Sequence, residues 1–421
     1  MTALALSPAS EQASKKSFRE VWLISIGHSL THWYPATFYL LLPLIGQELG
    51  LSYLEIGSVF TVQASAGALS NIPGGLIVDS VPRKGLLMAI ALFWVGAPYL
   101  LMGFTHQYWT LLTCAALVGI GNNIWHPTAI PLLAQNFPER RGLAVSIHGM
   151  GGNMGDAIAP FVAGMLLTYM NWRTVVMVNL LPGVVMACII LASLGRLQAK
   201  PRSTNAEGTS GIGQKVGRKL KDFARLLRNR TLIFLCASSI FRSMTQGALM
   251  TFLPLFLARQ MGYSPRWVGA VMAGLQLAGF AAAPIAGHLS DTMGRRQIIV
   301  SSMTTSFVVL LFMAIAGNSP YFVMFVAVLG FFLFAVRAVL QAWLLDATPP
   351  DMGGSSIGLL FAIQALGAAS GPFIGGLIAD RWGIMTVFYF LAATIVVANM
   401  FIFVTPVPSA RFAPSTDSEV Q

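Results

Sequence analysis

Seven ionisable side chains stand inside stretches that are otherwise apolar: His28, His32, His126, His148, Asp156, Arg242 and Arg337. A charge at bilayer depth costs at least about 2.5 to 3.5 kcal/mol on insertion scales, so each is a candidate for function. Imidazole titrates near neutrality and a carboxyl is the other proton carrier present, which makes Asp156, His32 and His126 the groups expected to exchange protons. The two guanidinium groups pose a different problem. With the imidazoles neutral, Arg242 and Arg337 face Asp156 alone, since Asp346 lies nearer a helix end. A surplus cation in a low dielectric calls for an anion, and the guanidinium fork suits a carboxylate or phosphonate.

Arg242 and Arg337 are therefore expected to hold an anionic group. His32, His126, Trp33, Tyr34, Asn122, Asn123, Trp125, Gln246 and Gln341 are placed to add stacking and hydrogen bonds. The alternative for the arginines is structural pairing with Asp156, Asp346 or backbone carbonyls. For any one histidine it is a ring bonded to a neighbouring helix, and His148 and His288, nearer helix ends, read that way. Cys114, Cys188 and Cys236 sit singly in apolar segments, so no metal site, cofactor or redox pair is expected. GIGNN at 119 and GIGQKVGRK at 211 follow no strand and complete no phosphate loop, and no HExxH, GxSxG or CxxC is present.

Those groups must be carried by long apolar helices. Of 421 residues 55% are hydrophobic and 10% charged, with mean hydropathy +0.70, against roughly 25% charged in a soluble domain. That excludes a water-soluble enzyme. Apolar runs predict helices at 20–46, 54–78, 84–104, 108–135, 141–168 and 173–195, then at 231–257, 265–289, 297–316, 320–346, 354–378 and 384–405. The fold class is an all-α membrane protein with twelve transmembrane helices in two six-helix bundles, at 19–195 and 231–405. A polar tail (1–18), a basic linker (196–230) and a second tail (406–421) flank them. The linker opens with Gly, Ser and Pro and ends in a basic amphipathic segment expected to lie on membrane lipid. No removable signal peptide is read at the start.

The halves repeat. Gly50, Gly57, Gly75, Asp79, Arg83, Gly142, Gly155, Pro160 and Gly164 recur 212 positions on, at Gly262, Gly269, Gly287, Asp291, Arg295, Gly354, Gly367, Pro372 and Gly376. Such a shared offset implies two parallel bundles related by an axis along the membrane normal. By the same offset His32 and His126 fall beside the counterparts of Arg242 and Arg337. Charge sets orientation: 20 of the 26 Lys and Arg fall on the side of the termini, and only Arg173, Arg259, Arg266 and Arg381 on the other. The positive-inside rule then puts both termini in the cytoplasm. The net charge of +11 is read as topology, with no nucleic-acid partner.

Two loops and two helices carry a family resemblance. GHLSDTMGRR (287–296) matches the G-x-L-x-D-x-x-G-R-K/R loop of the major facilitator superfamily. GLIVDSVPRK (75–84) is a second copy, with Ile77 and Pro82 departing from it. GAASGPFIGG (367–376) resembles the family's G-x-x-x-G-P-x-x-G-G helix, echoed by GDAIAPFVAG (155–164). Within the superfamily, GHSLTHWY (27–34), IWHP (124–127) and RRGLAVSIHGMGGNMGDAIAP (140–160) look like the fosmidomycin-resistance type of efflux protein. His32 and Thr128 stand where that type carries acids.

The resemblance implies helices 1, 4, 7 and 10 around a central cavity, and gating by Asp79, Arg83, Lys84, Asp291, Arg295 and Arg296. It also implies rocking about Gly155, Pro160, Gly367, Gly371 and Pro372. Helices 3, 6, 9 and 12, which it assigns to the outer layer, hold no ionisable group well inside the membrane. The expected function is proton-coupled efflux of a small anionic or amphiphilic compound by alternating access, by a monomer in a bacterial inner membrane. Uptake of an organic anion is the alternative within the class, and a non-transporting membrane receptor or scaffold the alternative outside it.

Overall fold

The computed structural model describes residues 8–197, 226, 228–349 and 352–406, with the side chains at 8–18, 71–73, 75, 76, 79, 123 and 354 outside the description. The basic linker and the second polar tail lie almost wholly outside it. The described residues form twelve long helices and no strand: α1 (Pro8–Glu48), α2 (Tyr53–Ser80), α3 (Lys84–Met102), α4 (Tyr108–Asn136), α5 (Arg141–Leu166) and α6 (Trp172–Leu194), then α7 (Arg230–Gln260), α8 (Pro265–Met293), α9 (Arg295–Ala316), α10 (Tyr321–Asp346), α11 (Gly353–Trp382) and α12 (Thr386–Val404). α6 is interrupted at Asn179, and α7 ends in a π-helical turn, Phe256–Gln260. Eight of the twelve are long and apolar enough to cross a membrane by composition alone; α1 and α5, with their histidines and Asp156, are not among them.

Local chemistry explains the boundaries. α1 is helical from the first described residue, Pro8, and runs without a break from the polar segment into the first apolar run. Gly50 and Gly262 turn the chain with φ of 64° and 69°, so the repeat is conformational as well as textual. Ser52 then caps α2 in a capping box with Glu55, and Pro265 opens α8. The two signature loops differ for a physical reason: Gly294 takes φ 98°, which Pro82 at the matching position cannot adopt.

Each pairing in the first half has its counterpart six helices on. α1 packs on α5, α2 on α4, and α3 on α4 and α6, as α7 packs on α11, α8 on α10, and α9 on α10 and α12. The halves meet along α2–α11 and α5–α8. These seams are backbone to backbone: a Cβ on Gly57 would run into the Pro372 carbonyl, and one on Gly269 into that of Pro160. Both contacts lie toward the helix ends away from the termini, the distal side. Trp109, Tyr169, Trp267, Tyr321 and Trp382 are exposed at distal helix ends, the positions of a membrane-interface aromatic belt.

Candidate functional site

Between the halves lies a cavity of about 270 Å³. Thr31, His32, Pro35 and Tyr39 of α1, Asn122 and His126 of α4, and Asp156 of α5 form one wall. Gln246 and Met250 of α7 and Gln276 of α8 form the other. Spacing on α1 explains its contribution, because residues three and four apart share a helix face. Trp33 and Tyr34 are off that face and the structure takes both away from the cavity, a correction to their expected role. Trp33 Nε1–H donates to Asn179 Oδ1 of α6 at 2.7 Å, and the Tyr34 ring, 1% exposed, packs 5.0 Å from Tyr99. Gln341 is half-buried and is not in the cavity wall, and the side chain of Asn123 is outside the described residues.

Four imidazoles gather in and behind the first wall, His32 and His126 lining the cavity and His28 and His148 lying behind them. His28 Nδ1 lies 2.6 Å from the His148 carbonyl, which only accepts, so Nδ1 carries the hydrogen. His28 Nε2 is left as an acceptor, 3.0 Å from His126 Nε2. The His148 ring stacks on His28 at 3.9 Å and accepts at Nε2 from Trp125 Nε1–H at 3.2 Å. His32 Nδ1–H donates to Asp156 Oδ2 at 2.9 Å. His148, read from sequence as structural, has its ring bonded to Trp125 of the neighbouring α4 and also stacks in the cluster. Its signal was the row of glycines one turn on: Gly151 and Gly155 lie against the carbonyls of Ser25 and Ser29, marking the face of α5 that meets α1.

The arginines occupy the opposite half. Arg242, 2% exposed, donates from Nη1 to Gln246 Oε1 at 3.0 Å and from Nη2 to Ser243 Oγ at 3.5 Å, and its Nε has no partner among the described residues. Arg337 is exposed, and neither it nor Arg242 is among the residues that line the cavity. Arg337 lies within electrostatic reach of Arg242, His126 and Asp156. Neither guanidinium pairs with a carboxylate among the described residues. Asp346 is bonded to Arg295 at 3.2 Å, and Asp156 to His32.

The residues expected to gate fall into two groups. Arg295 pairs with Asp291 and Asp346 and donates to Ser290 Oγ at 2.6 Å, Arg296 donates to the Phe403 carbonyl, and Lys84 Nζ donates to the Val81 carbonyl at 3.0 Å. All of these bonds stay within one half. Arg83 precedes α3 without a side-chain cap, and the side chain of Asp79 is outside the described residues. Gly155, Gly367 and Gly371 let α5 and α11 press on α1 and α7, whereas Pro160 and Pro372 present the carbonyls at the seams between halves.

A family model described as Major Facilitator Superfamily matches residues 21–274 and 235–420. Among curated proteins, the fosmidomycin resistance protein of Escherichia coli (strain K12) is 25% identical over 384 residues, covering 90% of this chain and 91% of that one. A hexuronate transporter of Bacillus subtilis (strain 168) is 22% identical over 370 residues, covering 84% and 86%. Among solved structures, a bacterial homologue of the human lysosomal transporter Spinster, inward-facing and unoccupied, superposes with a TM-score of 0.78 at 16% identity, covering 93% of this chain and 97% of that one.

Proposed function

The chain belongs to the Major Facilitator Superfamily and is an integral membrane transporter, not an enzyme; from that premise we propose that it exports a small anionic or amphiphilic compound by alternating access, driven by the proton gradient. The observation that carries the anionic cargo is the state of Arg242 and Arg337. Two guanidinium groups stand near the cavity without lining it, Arg242 behind the wall residue Gln246 and Arg337 within electrostatic reach of Asp156, and the single carboxylate on the wall, Asp156, is taken by His32. An oxyanion supplies what the protein leaves out. Gln246, which already accepts from Arg242, is positioned to orient the group, with His32 and His126 across the cavity.

Proton exchange is assigned to the same wall, where Asp156, His32 and His126 border the cavity. The charge bias supports cytoplasmic termini in a bacterial inner membrane, and on that reading the closed distal seams correspond to an inward-facing state. Export is favoured by likeness to the fosmidomycin resistance protein; likeness to the hexuronate transporter favours the second reading, uptake of an organic anion.

Proteoliposomes with an imposed proton gradient separate the two readings by the direction in which an acidic compound moves. A panel of acidic and basic toxic compounds, tested for growth protection, supplies candidates. The Arg242→Ala, Arg337→Ala double variant is expected to lose transport of acidic compounds. Normal transport by that variant, or protection against cations only, overturns the anion site.

A further inference from the structure

We propose that His28, His32 and His126 form a binding site for a divalent d-block cation of the zinc and cobalt class. The site goes beyond anion transport and stands whichever ion drives the cycle. One nitrogen from each ring lies within 4.8 Å of the others, although the rings come from α1 and α4. Two of the three are already oriented as ligands. His28 Nδ1–H is committed to the His148 carbonyl at 2.6 Å and His32 Nδ1–H to Asp156 at 2.9 Å, which leaves a lone pair on each Nε2, that of His28 now accepting from His126. A carbonyl or carboxylate behind the ring is the arrangement that sets tautomer and direction in metal-binding histidines.

Those lone pairs converge. His28 Nε2 faces His126 Nε2 at 3.0 Å. A Cβ placed on Gly152 would stand 3.0 Å from His32 Nε2 and 2.7 Å from the adjoining Cε1 of His28, so the two rings present neighbouring edges to one spot. With metal–nitrogen bonds of about 2.0 to 2.1 Å, tetrahedral ligand atoms stand roughly 3.3 Å apart. The His28–His126 gap therefore has to widen by only about 0.3 Å, and His32 has to close in. A cation there takes the place of the N–H···N bond that now joins the two rings, His126 giving up its Nε2 proton to solvent and taking one at Nδ1, so that its neutral ring presents the Nε2 lone pair. His32 and His126 border the cavity of about 270 Å³, which gives the ion an entry path and leaves a coordination position for water. Three imidazoles without a thiolate select zinc, cobalt or nickel over magnesium or calcium.

The test is titration of the purified, tag-free full chain with Co²⁺, followed by its visible d–d absorption and by calorimetry. One cobalt per chain is expected, displaced by Zn²⁺. His126→Ala is expected to weaken binding at least tenfold, with His126→Gln in its place where the alanine variant does not fold. Asp156→Asn keeps all three rings and is expected to cost about 10- to 100-fold through loss of orientation. Arg337→Gln, which removes a cation within electrostatic reach of His126, is expected to bind cobalt at least as tightly as the unaltered chain while losing the anion, so failure of the anion reading and failure of this one are distinguishable. No cobalt bound by the unaltered chain, or equal binding by the His126 variants, overturns the site.

Discussion

Asp380, at the distal end of α11, caps α2 from the other half of the molecule: its Oδ2 accepts the Leu54 N–H at 2.9 Å and its Oδ1 the Tyr53 N–H at 2.8 Å. The first N–H groups of a helix have no partner within it, and a carboxylate there is also favoured by the helix dipole. The second seam lacks the device. The counterpart of Tyr53 is Pro265, which has no N–H, and that of Asp380 is Thr168, which bonds back from the turn after α5 to the Gly164 carbonyl. Asp380→Ala is expected to cost the distal seal about 1 kcal/mol, a population shift of roughly fivefold toward the distal-open state. Spin-label distances between the distal ends of α2 and α11 measure it, and an unchanged distribution removes Asp380 from the seal.

The seams are symmetric where glycine meets carbonyl. Gly57→Ala and Gly269→Ala each drive a methyl into a proline carbonyl, Pro372 in one case and Pro160 in the other. Both variants are expected to insert and fold, to lose most transport, and to label more readily at thiols introduced on the distal side. Transport at the original rate by either one would show that the halves do not need this approach.

Arg337 and Arg242 differ in what else they do. Arg337 is accessible and makes no side-chain bond among the described residues, so Arg337→Gln is expected to raise KM for an acidic compound at least tenfold with thermal stability unchanged. Arg242 is buried against Gln246 and Ser243, so Arg242→Ala is expected to lose about 1 to 3 kcal/mol of stability as well as binding. Paired KM and Tm measurements separate the two; a Tm loss for Arg337→Gln would place that side chain in the packing.

Trp33 serves the first bundle instead of the cavity. Trp33→Phe keeps the ring bulk and removes the bond to Asn179, with an expected loss of about 1 kcal/mol and no change in KM. A changed KM would return the residue to the binding site.

Glu48 ties α1 to α6 on the distal side and carries a pH signature. Hydrogen bonds from Arg173 and Trp172 hold its carboxyl below the ordinary range. A carboxyl depressed by folding contributes stability above its unfolded value, about 4.3, and loses it as pH falls through the folded value. The Tm difference between the chain and Glu48→Gln is therefore expected to stay level from neutrality to about pH 5 and to shrink below that. A difference that grows on acidification contradicts the assignment.

Much of the architecture was legible in the chain itself, because its determinants are local. Twenty apolar residues need a membrane wherever they stand, Gly50 and Gly262 need the same turn, and the motif at 287–296 is read within ten residues. The ionisable candidates were legible for the same reason, since a charge in an apolar run is costly before any neighbour is known. Which of them meet was a tertiary decision. His28 reaches His126 across 98 residues and the His148 carbonyl across 120, and no spacing rule spans such distances. The glycine face of α5 brought α1 close enough for His148 to join the cluster. One helical step of about 100° turned Trp33 and Tyr34 from the cavity into the bundle. Side-chain type declares what a group can do, whereas the rotation and approach of packed helices decide which groups do it together.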